Sequence, residues 1–253
     1  MKSILAASLL ALGTSSSFAA STTLTGIVRD FEPGVLAPGS TNPDFESGIG
    51  GVVTGLVAST LSGSAPTPLS FGAPGYITSA ASFAEWYGAA APSKSLSITL
   101  NETFAGSGIY QYSNNNFFPI DGQLLGNYGN SGHNFHFTYQ IAAQFGYKPG
   151  TNQTFSFTGD DDVWVFFDKK LGIDLGGVHG AAGASVNMDT LLAGYAEGNY
   201  SFDFYFAERH TTQSNLEIST SLTLVPVPEP STYALMAAGL GAVGFIARRR
   251  QRR

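Results

Sequence analysis

The feature that most narrows what this chain can fold into is an alternation of period two along its middle. Tyr200, Phe202, Phe204 and Phe206 alternate with Ser201, Asp203 and Tyr205. Phe135, Phe137, Tyr139 and Ile141 alternate with His136, Thr138 and Gln140, and Leu96, Ile98 and Leu100 with Ser97 and Thr99. Leu216, Ile218, Leu222 and Leu224 continue the trend. In an extended strand successive side chains point to opposite faces, so this spacing gathers the large apolar residues on one face; a helix would need a period near 3.6. The pattern predicts half-buried antiparallel strands and an all-β chain, an antiparallel β-sandwich or barrel in a single domain. A middle rich in Gly, Ser, Thr, Asn and aromatics and poor in Lys and Glu agrees. Gly48 to Gly75 is rich in Gly, Ser and Pro and reads as a long loop, and one short helix is expected around Ser82–Tyr87.

The two ends are not part of that pattern. Lys2, an apolar run from Ile4 to Leu12, and small residues at −3 and −1 of a cut after Ala19 follow the order of a signal peptide. Near the other end Pro228-Glu229-Pro230 precedes a mostly apolar stretch, Tyr233 to Ala247, and then Arg248, Arg249, Arg250, Arg252 and Arg253. As a helix, about 15 residues rise about 22 Å, short of a bilayer core of roughly 30 Å. Snorkelling arginines help close the gap, and the basic cluster keeps the tail's end cytoplasmic. The expected organisation is a signal peptide over 1–19, one domain over 20–225 and a sorting segment over 226–253, with a transmembrane helix at 233–247 and a basic tail at 248–253. Pro-Glu-Pro, the short apolar helix and the arginines closely resemble the PEP-CTERM sorting signal. That resemblance implies an exopolysaccharide-making bacterium and an exosortase-type membrane protease as partner. The protein would be held at the inner membrane by its C-terminal helix until the tail is cut, then delivered to the cell surface or extracellular matrix.

Charge separates along the same boundaries. Of the 12 basic residues, Lys2 and the five terminal arginines lie in the end segments. Of the 18 acidic residues only Glu229 does, which leaves 6 basic against 17 acidic in the domain, about −11. Such a surface repels nucleic acid and tolerates divalent cations and neutral partners. The absence of cysteine excludes thiol chemistry and cysteine-ligated zinc.

The chemistry concentrates between Phe155 and His179. Val163 to Phe167 is an apolar run, Asp168-Lys169-Lys170 can turn, and Leu171, Ile173 and Leu175 alternate, which predicts a β-hairpin. Its closure would bring Asp160, Asp161 and Asp162 beside Asp174, Gly176, Gly177 and His179. Three consecutive aspartates repel one another unless something compensates. A calcium ion, which takes six to eight oxygen ligands, would do so; a solvated acidic turn that caps strands accounts for the same residues. Glu208-Arg209 is expected to pair Arg209 with one of these aspartates, and His179 and His210 either meet near Glu208 and the aspartates or serve as structural hydrogen-bonding residues. His133 and His136, three apart, point to opposite faces and are poor joint zinc ligands. Tyr110, Tyr112 and Tyr128 are either sugar-stacking residues or ordinary strand-surface aromatics. Nothing assigns a nucleophile or an acid–base pair, so no enzyme is expected.

A set of motifs in fixed order then resembles a known domain. They are Arg29-Asp30-Phe31, Asn42-Pro43-Asp44-Phe45-Glu46, Phe83-x-x-Trp86-Tyr87, Phe117-Phe118-Pro119-Ile120-Asp121 and Asn134-Phe135-His136-Phe137-Thr138, followed by Gly159 through Phe166, Asp174 through His179 and Ala207-Glu208-Arg209-His210. From about Leu24 to Leu224 the chain resembles a fibro-slime domain, a family similar to the protective-antigen-type β-sandwich found in flocculins and several glycosidases. In the sugar-binding members an Asp-Asp pair joined by a cis peptide binds calcium, and the calcium binds sugar hydroxyls. The resemblance places that pair on Asp160-Asp161 and implies metal ligands among Asp160, Asp161 and Asp162. Asp174, His179, Glu208 and Arg209 are implied around them. Asp162 and Lys169 stand where many such domains have glycine. The expected function is an exported surface or matrix protein that binds calcium and polysaccharide. A purely structural surface protein is the alternative, and a carbohydrate-active enzyme a third reading.

Overall fold

A computed structural model describes residues 19–72 and 77–226; the signal peptide's first 18 residues, the Pro228-Glu229-Pro230 motif, the 233–247 helix and the basic tail lie outside the described residues. In chain order the elements are β1 (Ser21–Asp30), β2 (Glu32–Pro33), β3 (Thr41–Asn42), α1 (Ala80–Trp86), β4 (Ser93–Glu102), β5 (Tyr110–Asn114), β6 (Phe137–Tyr147), β7 (Thr154–Gly159), β8 (Asp162–Phe167), β9 (Lys170–Leu175), β10 (Ala182–Asn187), α2 (Met188–Leu191), β11 (Gly198–Glu208), β12 (Leu216–Thr220) and β13 (Thr223–Pro226).

Eleven strands share one sheet in the order β10-β7-β12-β5-β4-β1-β6-β11-β8-β9, with β13 also on β6. Every pairing in it is antiparallel; the two-residue pair β2–β3, outside it, is parallel. β6 is the axis. β11 pairs along its whole length, from Gly198↔Tyr147 to Glu208↔Phe137. Its other edge is shared: β1 takes Phe137 to Ile141 and β13 takes Ala143 to Gly146.

The sheet folds back on itself. Phe155 and Phe157 on β7 meet Phe167 on β8 and Phe202, Phe204 and Phe206 on β11, at ring-centroid separations from 5.4 to 6.4 Å. This aromatic seam makes the sandwich, and the alternating residues of β1, β4, β6, β11 and β12 supply its core. All-β, antiparallel and a single domain are thus as the alternation requires.

The strands are not, however, half-buried throughout. A second apolar cluster lies on the outer face of β8 and β11, built from Trp164, Phe166 and Tyr205 of those strands against Phe83, Trp86, Phe45, Leu56, Val57 and Leu61. α1 supplies two of these rings; its N-cap Ser79 accepts from the Ser82 amide while Ser82 accepts from the Ser79 amide, a reciprocal cap. The stretch from 48 onward is irregular, as its composition implies. It nevertheless lies across β9 through the bridges Val53↔Gly176 and Thr60↔Lys170, and it buries Leu56, Val57 and Leu61. β8 is therefore covered on both faces, which is why Val163 to Phe167 reads as a continuous apolar run rather than an alternation.

The β8–β9 hairpin forms with a two-residue turn at Asp168-Lys169, both left-handed (φ 47° and 66°). That turn matches the strand twist and normally carries glycine; Lys169 occupies it at a cost.

Candidate functional site: an acidic cleft at one end of the sandwich

The end of β7, the start of β8 and the end of β11 converge at one end of the sheet, so Asp160, Asp161, Asp162, Glu208 and Arg209 are all brought together and all are buried. The loop after β9 joins them. Gly177 at φ 93° turns the chain back, its amide donating to Asp162 Oδ1 at 2.6 Å; a side chain here would meet the Gly51 carbonyl at 2.6 Å. The His179 amide donates to Asp161 Oδ1 at 3.2 Å, and the Asp161 amide donates back to the His179 carbonyl. The Asp160–Asp161 peptide is trans, and Asp161 is left-handed at φ 56°.

The three aspartates have different tasks. Asp162 is the partner of Arg209, whose Nε donates to Oδ2 at 2.6 Å with both side chains fully buried. Arg209 Nη1 also donates to the Asp44 carbonyl at 3.0 Å, and its guanidinium lies 4.8 Å from the centre of the Trp86 ring. Burial opposes the Arg209 charge, but Asp162 and Asp161 outweigh it and raise its pKa. Asp161 Oδ2 accepts the Arg209 amide at 2.6 Å. Asp160 accepts both the amide and the side-chain nitrogen of Asn215. Asp174 is set apart: it accepts from Trp164 Nε1 at 3.1 Å and the Gly55 amide at 2.8 Å, and so pins the covering loop rather than facing the other carboxylates.

Glu208 is the exception. It is wholly buried, and neither carboxylate oxygen makes a hydrogen bond. Ser214 and the Asp161 carboxyl are its polar neighbours, yet neither meets it in hydrogen-bonding geometry. Burial first, then the charges of Asp161 and Asp160, push its pKa well above the usual carboxylate range. Burial likewise pushes Asp161 up to about 7 despite Arg209, and raises Asp160. Each shift favours the protonated form, which a bound cation would oppose.

In front of it opens a cleft of about 130 Å³ lined by Asp160, Asp161, His179, His210 and Thr211. His179 and His210 do share this cleft. His179 is held by the Gly180 and Leu175 carbonyls, and His210 by the Thr211 carbonyl, with Glu46 Oε1 3.7 Å away. The donors on offer are carboxylate, hydroxyl and carbonyl oxygens, the set that suits calcium. Among the described residues, no three His, Asp or Glu side chains already stand in the arrangement of a preformed metal site. An ion here would have to exchange existing hydrogen bonds for coordination.

Elsewhere, His133 and His136 go separate ways as expected, to Asp121 at 2.6 Å and to Glu46 at 2.9 Å. Tyr110 and Tyr112 are not exposed platforms; they are partly buried and pack against the core because β5 leans over it. Tyr128 alone of the three is exposed. Asn215 and Glu46 were missed by sequence reasoning. Glu46 lies inside one of the quoted motifs, but nothing in the sequence marks Asn215.

The fold and the site together define an antiparallel β-sandwich whose carboxylates converge at one end. Residues 120–231 match the PA14 domain, and residues 226–253 match the PEP-CTERM protein-sorting motif. The sandwich extends beyond the PA14 match, since β1 and β4 belong to the same sheet. The chain is similar to protein psiQ of Dictyostelium discoideum, 44% identical over 204 residues, covering 73% of this chain and 20% of psiQ. It is also similar to psiD (50% over 131 residues; 49% and 25%) and psiE (36% over 206 residues; 72% and 40%) of the same organism. The chain spans between a fifth and two fifths of the length of these relatives. No solved structure matches it. The sorting motif marks an exported protein, anchored transiently in the membrane. No helix among the described residues is long and apolar enough to cross one.

Proposed function

We propose that this protein binds extracellular polysaccharide through a calcium ion held in the acidic cleft, after an exosortase-type protease has removed its tail, and so lends cohesion to a surface matrix. The observation that carries the reading is Glu208: a fully buried carboxylate without a hydrogen bond, beside Asp161 and Asp160. A buried charge of this kind is costly unless it is neutralised by a proton or a cation. Asp160 and Asp161, which line the cleft, would hold the ion with neighbouring carbonyl and hydroxyl oxygens, while Glu208 lies buried behind them and Asp162 is kept on Arg209. Calcium supplies open coordination positions that accept vicinal hydroxyls in place of water. The domain is read as binding rather than catalytic, because the carboxylates face one another and Arg209 rather than flanking an open substrate path.

The test is thermal unfolding in calcium and in EDTA. Ligand linkage gives about 2.7 kcal/mol at one hundred times the dissociation constant. The gain should vanish in Asp160→Asn/Asp161→Asn, and retention on the producer's own polysaccharide should vanish with it. Equal melting temperatures with calcium and EDTA would remove the metal and leave a structural carboxylate cluster.

A further inference from the structure

A second, larger cleft of about 280 Å³ lies beside the first, and nothing above assigns it a role. One wall is Tyr128, 38% exposed, its ring edge-on to His136 at 4.4 Å. Leu125, Asn127, Asn134 and Glu32 complete it. The loop that presents Tyr128 is braced from within. Asn127 accepts from the Gly122 amide and donates to the Gly132 carbonyl, and the Tyr128 amide donates to the His133 carbonyl. The floor is fixed by Asp30, which accepts from Asn134 Nδ2 and from the Leu125 amide, both at 2.8 Å. The Tyr128 hydroxyl and the Glu32 carboxylate make no hydrogen bond with any described residue. The aromatic face is therefore held in place while the polar groups at the rim are free for a ligand.

The two clefts share a partition. His136, a lining residue of the second, meets Glu46 Oε2 at 2.9 Å; Glu46 Oε1 accepts from Thr211 Oγ1 at 2.9 Å, and Thr211 lines the first. The linings of the two clefts are thus joined through Glu46, the connection a ligand with repeating units would follow. No Lys or Arg lines either cleft, and Glu32 adds negative charge, so anionic units are disfavoured. A neutral pyranose fits the chemistry: an apolar C–H face for the tyrosine ring and hydroxyls for the Glu32 carboxylate at the rim.

We propose that the Tyr128 cleft is a second glycan subsite, which takes the neutral sugar unit next to the one bound in the acidic cleft and makes recognition depend on chain length. This rests on the polysaccharide reading above, and the variants below separate the two. Full chain in a detergent without sugar headgroups is applied, with calcium, to an array of neutral oligosaccharides of one to six units and of uronic-acid oligomers. Wild type should favour neutral oligomers of two or more units over their monosaccharides. Tyr128→Ala should weaken the oligomers by about tenfold and the monosaccharides not at all, with its calcium-dependent melting shift intact; Tyr128→Phe should retain binding. Oligomer binding by Tyr128→Ala equal to wild type overturns the subsite and leaves the calcium reading standing. Absence of any neutral oligomer preference in wild type overturns it as well. Unchanged binding in Asp160→Asn/Asp161→Asn sinks the calcium reading instead, and the subsite is then decided by Tyr128→Ala alone.

Discussion

At the scale of single residues, the acidic end of the sandwich holds two carboxylates in opposite conditions. Asp162 is paired with Arg209, whereas Glu208 is buried and unsatisfied. Glu208→Gln replaces a proton-bearing carboxyl by a neutral group of the same shape. In EDTA its urea midpoint should equal or exceed that of wild type, and in calcium the wild-type gain should be lost. Arg209→Met should behave in the opposite sense, losing about 3–5 kcal/mol with or without metal, because the Asp162 charge is left buried and alone. A Glu208→Gln protein as destabilised in EDTA as Arg209→Met would mean that Glu208 is structural. Much of this was legible in the sequence. The hairpin placed the aspartates beside Gly177 and His179, and Glu208-Arg209 implied an ion pair with an aspartate. What was not legible was the division of labour, since which aspartate faces Arg209 depends on the left-handed turn at Asp161. Asn215 and Glu46 escaped because they reach the site from 55 and 165 residues away along the chain.

At the scale of elements, the alternation marked β4, β6, β11 and β12 because each places one face in the main core. It could not mark the second core, where α1 and the irregular stretch after 48 cover Trp164 and Phe166, because a covering loop has no period. Leu56, in that stretch, is 1% exposed. Leu56→Ala should therefore cost about 2–5 kcal/mol by chemical denaturation, as in a strand core and unlike a surface loop. The hairpin turn offers the converse. Lys169 at φ 66° is a side chain in a conformation glycine adopts freely, so Lys169→Gly should raise stability by about 1 kcal/mol. A fall would show that the Lys169 side chain makes up for its backbone.

At the scale of the whole molecule, buried carboxylates set the response to pH. Burial pushes Asp30 up to about 6, against the bonds from Asn134 and Leu125, and Asp161 up to about 7. Each binds its proton more tightly in the folded than in the unfolded chain. In EDTA, the stability these two groups contribute should thus be fully present below about pH 4 and be lost as pH rises through 6 to 7, a trend to be read from melting temperatures across that window. Calcium should flatten the part due to Asp161 and leave the part due to Asp30. The arrangement of β13 bears on what happens under load. It holds β6 through four residues only, ending where Pro226 faces Ala143, and β1 already occupies the same edge from Ile141 onward. β13 therefore ends where β1 takes over the edge. The acidic cleft lies at the other end of β6, beside Phe137 and Glu208. If the proposed adhesion holds, a load applied on the C-terminal side of β13 would strip these four residues first and gain about 13 Å of slack. The grip on the glycan would be disturbed only after that mechanical fuse had gone.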